Sequence, residues 1–202
     1  MAVSDVSICN LALARVGQSV IVNLNDTDRL ARLCKLHYEA KRDALLRSYR
    51  WTFAMARASL PTNLPAPAFG YTNAYLIPTD CLRVVEIDDQ DTELEWDPPR
   101  WEMEQGRILT DLAAPLKVRY IKRVDDPTAF DASFADALAA YLALYFAPSV
   151  KELDEGLTQA LRQEFEFIVQ QARRTNAIEG RPRRRVETRS RWVSGYRSPG
   201  RY

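Results

Sequence analysis

The sequence predicts an α+β fold, mainly α: a four-helix body, a small antiparallel β-sheet inserted into it, and an extended C-terminal arm. Three observations predict it. Apolar residues recur at helical spacing up to about residue 50 and again from about 133, a period of two takes over between them, and the chain closes on an arginine-rich stretch. With 202 residues, 47% of them hydrophobic, the chain is long enough to bury roughly 70% of its unfolded surface.

The first helix is capped by Ser4 or Asp5. Val6, Cys9, Leu13 and Val16 step by three or four along one side, and Gly17 supplies the stop. Asn25-Asp26-Thr27-Asp28 offers caps and acids for the positive end of a second helix reaching about Tyr49. Its expected apolar side carries Leu30, Leu33, Cys34, His37, Lys41, Ala44 and Leu45, with Arg29, Arg32, Lys35, Glu39, Arg42 and Asp43 on the polar remainder.

From Trp51 to Met55 large and small residues alternate, and Pro61, Pro65 and Pro67 interrupt before Tyr71 to Ile77 resumes the alternation. Further strands are expected at Cys81 to Ile87, Glu93 to Trp96, Trp101 to Met103, Arg107 to Thr110 and Leu116 to Ile121, with a tight turn at Gln105-Gly106. Together they make one small antiparallel sheet over about 51–124.

Helix returns at Ser133-Phe134-Ala135-Asp136, which has the form of a capping box. Phe134, Leu138, Tyr141, Leu142 and Tyr145 follow at helical spacing, and Ala139, Ala140, Ala143 and Ala147 make the opposite side apolar as well. A helix apolar all round must be covered on several sides. Pro148 is expected to break it. A last helix then carries Val150, Leu153, Leu157, Leu161, Phe165, Ile168 and Ala172 in one stripe. The outer helices can cover one another only if the sheet leaves and re-enters a single helical body.

Charge divides the chain in two. From Arg173 to Tyr202 ten arginines stand against Glu179 and Glu187, a local +8; the other 172 residues hold 18 basic and 25 acidic groups, or −7. No window reaches the roughly 18 apolar residues needed to cross a bilayer, and the first residues lack the basic-then-apolar pattern of a leader. Three widely spaced cysteines, Cys9, Cys34 and Cys81, suit a reducing compartment and small core positions.

The familiar catalytic patterns find little foothold. The glycines fit no phosphate-cradling loop, and no G-x-S-x-G elbow is present. The single histidine, His37, stands three residues from Cys34, but with no C-x-x-C pair a metal centre is not expected. No cofactor is expected either. Carboxylate pairs such as Glu152/Glu155 and Glu164/Glu166 read as solvated helix surface.

The terminal segment from Gly180 cannot bury enough apolar area to fold alone. It interleaves Trp192, Tyr196 and Tyr202 with arginines, residue types that dominate interfaces. Three readings stand open: an arm that grips nucleic-acid phosphates, an arm that docks on a protein through aromatic anchors and Arg–carboxylate pairs, and a solubilising tail.

The organisation resembles the head-to-tail adaptor family of bacteriophages, the connectors or gatekeepers that include tail tubular protein A. The resemblance rests on Ile8-Cys9-Asn10-Leu11-Ala12-Leu13-Ala14-Arg15-Val16-Gly17, the long helix closing in Arg50-Trp51-Thr52-Phe53, the sheet insertion from about Tyr71, and the helix pair meeting at Phe146-Ala147-Pro148. It covers roughly residues 6–175. It implies a virion structural protein in the neck, made in the host bacterial cytoplasm: a homo-oligomeric ring of about twelve subunits. Such a ring binds the portal protein above and the tail nozzle or tail-tube protein below, and DNA passes through its lumen without specific binding. No enzymatic activity is implied. The expected division is a helical adaptor body at 1–50 and 125–175, a β-rich insertion at 51–124, and a basic arm at 176–202. The arm resembles those that some adaptors lay along the portal, with Arg181, Arg183, Arg184, Arg185, Arg189, Arg191, Trp192, Tyr196, Arg197 and Tyr202 as docking residues. Phe134, Leu138, Tyr141, Leu142 and Tyr145 are the expected inter-subunit packing residues, on a helix carrying more apolar surface than one neighbour can cover.

Overall fold

The computed structural model describes residues 3–62, 64–88, 90–91, 100–150 and 155–180. Helix α1 spans Asp5–Arg15. Ser4 and Ser7 cap it reciprocally: Ser4 Oγ accepts the Ser7 N–H at 3.1 Å, and Ser7 Oγ accepts the Ser4 N–H at 2.8 Å. At the other end Gly17 takes the left-handed conformation (φ 70°), and the Gly17 and Gln18 amides turn back onto the Ala14 and Leu13 carbonyls. Helix α2 (Arg29–Ser48) starts where Asp28 accepts the Leu30 N–H.

The buried side of α2 is rotated from the expected one. Ala31, Cys34, Tyr38, Arg42, Leu45 and Leu46 face inward, and Ala44 is exposed. Arg42 is admitted because two carboxylates, Asp43 at 2.9 Å and Asp125 at 2.8 Å, neutralise it. Periodicity alone could not anticipate a cation whose partner lies 83 positions away.

Trp51 to Met55 does not form a strand. Thr52–Ala54 is a short 3-10 turn, and Trp51 is fully buried. Its indole donates to the Leu45 carbonyl (3.0 Å) and meets Phe134 edge-on at 5.1 Å. Strands follow at β1 (Met55–Leu60), β2 (Asn73–Leu76), β3 (Cys81–Ile87), β4 (Gln90–Asp91), β5 (Trp101–Glu104), β6 (Arg107–Thr110) and β7 (Leu116–Lys122). The strand expected at Glu93 to Trp96 lies outside the described residues. Instead of one sheet there are two, ordered β1-β7-β3-β4 and β2-β6-β5, all antiparallel. Their facing sides enclose a separate core of Leu60, Tyr75, Val84, Ile87, Ile108, Leu116, Val118 and Tyr120. The Gln105-Gly106 turn between β5 and β6 is present, with φ positive at both residues (47° and 73°).

Helix α3 (Ala132–Val150) is capped two residues earlier than expected. Asp131 takes the capping role expected of Ser133, accepting the Ser133 N–H at 2.8 Å, and Asp136, instead of closing a capping box, pairs with Arg15. Pro148 sits inside α3 rather than ending it, and the helix runs on to Val150. Helix α4 spans Glu155–Glu179, four residues beyond the expected boundary of the body at 175. Helices α1, α2 and α4 all pack against α3, so its all-round apolar surface makes it the centre of the body. The insertion does leave and re-enter one helical core: Met55 of β1 and Ile121 of β7 are ladder partners and both pack into the α3-centred cluster.

Candidate interaction surfaces

Phe134, Leu138 and Leu142 have no exposed surface within the single chain. They cannot form a subunit boundary in this fold, because α1, α2 and α4 already cover their helix. Tyr141 and Tyr145 remain nearer the surface, and Tyr145 is 37% exposed.

These two tyrosines belong to a cationic–aromatic cluster joining α2, α3 and α4. Tyr141 stacks on Phe165 at 4.8 Å and meets Tyr145 edge-on at 5.4 Å, while the Lys41 ammonium lies 3.3 Å from the Tyr145 ring centre. The His37 ring is 5.7 Å from that of Tyr145. Burial, with a hydrogen bond to Tyr145, pushes the Tyr141 phenol up to about 12, and the same hydrogen bond, aided by Lys41, lowers Tyr145. Burial and then the Lys41 charge lower His37. The cluster is a partly exposed aromatic face shared by three helices.

Arg15, at the end of α1, holds two other helices at once, with Asp136 of α3 at 2.6 Å and Glu164 of α4 at 3.0 Å. Glu164, expected as mere solvated surface, is one arm of this clamp. Arg123 reaches Asp43 at 2.9 Å and so ties the end of β7 to α2.

The expected arm residues Arg181, Arg183, Arg184, Arg185, Arg189, Arg191, Trp192, Tyr196, Arg197 and Tyr202 lie outside the described residues. Their point of departure is described. Asn176, first residue of the expected arm, is instead a buried part of α4: its Oδ1 accepts the Thr52 N–H (2.8 Å) and Oγ1–H (3.0 Å), and its Nδ2 donates to the Arg50 carbonyl (3.0 Å). Helix α4 thus ends at Glu179, and Gly180, whose N–H donates to the Asn176 carbonyl at 2.9 Å, lies against Thr52 at the junction of body and insertion.

The sequence had hinted at Asn176 only by placing a poor helix former late in a helix. A further feature escaped it altogether. On the outer face of the four-stranded sheet Arg57 stands opposite Arg119, a pairing visible only once the strand register is known.

Cys9 and Cys34 are fully buried neighbours across α1 and α2. Among the described residues no group of three or more His, Cys, Asp or Glu side chains could hold a metal ion, and no helix is long and apolar enough to cross a membrane. No known family model matches the chain, and no curated protein matches it.

Proposed function

We propose that the chain is a structural head-to-tail adaptor of a bacteriophage virion, one subunit of a ring that joins the portal to the tail and walls part of the DNA channel. The observation that carries this reading is the course of the chain: helices from both halves build one α3-centred body, the β unit is inserted between them, and α4 ends at Glu179 beside that junction, just before the arginine-rich sequence. An assembly protein needs separate surfaces for separate partners, and this course supplies three. The body and the β unit have their own apolar cores, so each can present a stiff surface. The arm adds a tether whose Arg and Trp contacts, repeated in every subunit, sum to a firm joint through multivalency.

The charge division supports the same reading. A body of −7 repels DNA phosphates passing beside it, and the arginines stay available for carboxylates on the portal. The eight arginines that follow Gly180 in the sequence also favour a second reading, in which they grip nucleic-acid phosphates directly.

One experiment separates the two. Purified full-length protein is mixed with its cognate portal ring and, separately, with duplex DNA. The adaptor reading expects capture on the portal, lost when the chain is truncated after Gly180. Tight DNA binding with a steep salt dependence and no portal capture overturns it in favour of the second.

A further inference from the structure

Helix α2 leaves part of its apolar sequence outside the bundle. Because Cys34, Tyr38, Arg42 and Leu45 turn inward, Leu36, Ala40 and Ala44 are exposed, Leu36 at 72%, with Leu33 half-buried beside them. At steps of three and four residues these side chains are neighbours on the helix surface and form one row. A lone exposed leucine needs no explanation, but an aligned apolar row marks a surface built to be covered.

Helix α4 carries a second row. Phe167 (64% exposed) and Ile178 (69%) lie on the side opposite the buried Leu161, Val169, Ala172 and Asn176, with the exposed Arg174 between them.

The two rows match. Leu33 to Ala44 and Phe167 to Ile178 are each 11 positions apart, about 16 Å along a helix. The α2 row ends in two alanines, whose small side chains leave grooves for the larger ones of α4. Charge agrees as well: among the described residues neither Glu39, next to Ala40, nor Arg174 has a hydrogen-bond or ion-pair partner.

Direction completes the match. Along α2, His37 and Lys41 meet Tyr145 and Tyr141 of α3 in turn, and Trp51 just beyond meets Phe134, so α2 runs opposite to α3. Along α4, Phe165 meets Tyr141, and Asn176 reaches Thr52 beside Trp51, so α4 runs opposite to α3 as well. Helices α2 and α4 are therefore parallel, and a rotation about an axis along them brings α4 of one copy beside α2 of the next still parallel. Phe167 then lies level with Leu33, Arg174 with Ala40 and so beside Glu39, and Ile178 with Ala44.

We infer that the exposed row of α2 is covered by the exposed row of α4 from a second copy of this chain, with Arg174 pairing Glu39 across the boundary. A contact between two unlike patches of one chain is heterologous, the kind that closes into rings. The inference rests on the ring reading given above and names its subunit contact.

Mixing two variants of the full chain tests it. Ala40→Arg spoils only the α2 row and Phe167→Glu only the α4 row. Each alone should lose self-association by about tenfold or more in sedimentation velocity. Their equimolar mixture retains one intact row of each kind per pair, so it should stop at a dimer. Glu39→Arg and Arg174→Glu should each weaken association, and the two combined in one chain should restore it. Unchanged circular dichroism and Tm confirm that the variants are folded. If the wild-type chain is monomeric alone, the same samples are read on the portal ring, where the single variants should fail to complete a ring and the combined charge swap should succeed. Single variants that assemble like wild type, a mixture without dimers, or a charge swap that fails to recover overturn the helix contact and leave the adaptor reading intact. Self-association through these rows without any portal capture supports the contact and overturns the adaptor reading. A wild-type chain that neither self-associates nor joins a portal overturns both.

Discussion

The side-chain amide of Asn176 closes on the backbone amide of Thr52 at 2.8 Å, joining residues 124 apart in sequence. The same carboxamide reaches the Arg50 carbonyl, so one residue of α4 fastens the chain where it passes from α2 into the β unit. Asn176→Ala leaves buried partners unpaired, at a cost of about 2–4 kcal/mol. Thermal unfolding should register a fall in Tm of roughly 4–16 °C. Truncation after Gly180 keeps the clamp and should move Tm by no more than about 2 °C, whereas truncation after Thr175 should reproduce the Asn176→Ala loss. Equal Tm values for the two truncations would show that the clamp carries no stability.

His37 makes stability depend on pH near neutrality. Burial and Lys41 hold its folded pKa below the ordinary 6.5, so the unfolded chain takes up the proton first. The stability that neutral His37 supports is complete above pH 6.5 and is lost as pH falls through the window down to the lowered folded value. Urea midpoints for wild type and His37→Gln should therefore diverge in pH dependence below 6.5, with the wild type losing more. Because the chain has one histidine, a single imidazole titration by NMR measures the folded pKa directly.

Thiol reactivity should follow burial. Cys9 and Cys34 are 0% exposed, and the Cys9 thiol is raised by its hydrogen bond to Cys34 and by burial. Cys81 is partly exposed, with burial and Asp80 pushing it up to about 11. At pH 8 iodoacetamide should label Cys81 slowly and the other two only at the rate of global unfolding, as read by peptide mass spectrometry. Rapid native labelling of Cys9 would contradict the helix contact that covers it.

Tyr38 is 95% buried, yet among the described residues its hydroxyl has no hydrogen-bond partner. An unpaired buried hydroxyl costs folding free energy, so Tyr38→Phe should be neutral or stabilising by up to about 1 kcal/mol. A clear loss of stability in urea unfolding would reveal a partner for that oxygen.

Local signals and long-range placement were legible to different degrees. Helix α1 could be read because Ser4, Gly17 and the apolar steps between them all act within one helix. The all-round apolar surface of α3 correctly required cover on several sides, but not which partners give it: its own chain supplies them for Phe134, Leu138 and Leu142. Alternation at Trp51 misled because a buried aromatic corner also spaces large residues two apart. The division into two sheets, the Arg42 and Arg15 ion pairs and the Asn176 clamp escaped because each depends on pairing over many tens of residues. Residue type at a single position carries almost none of that information.

The paired root of the β unit has an engineering consequence. Since Met55 and Ile121 lie side by side where that unit meets the helices, its two crossings form one narrow stem. Leu82 and Val85 of β3 pack on the helices beside that stem, so the strands free to be exchanged without touching the bundle are those of the second sheet, β2, β5 and β6. Natural variation should exploit the same freedom, remodelling the outer strands while the helical base stays as it is.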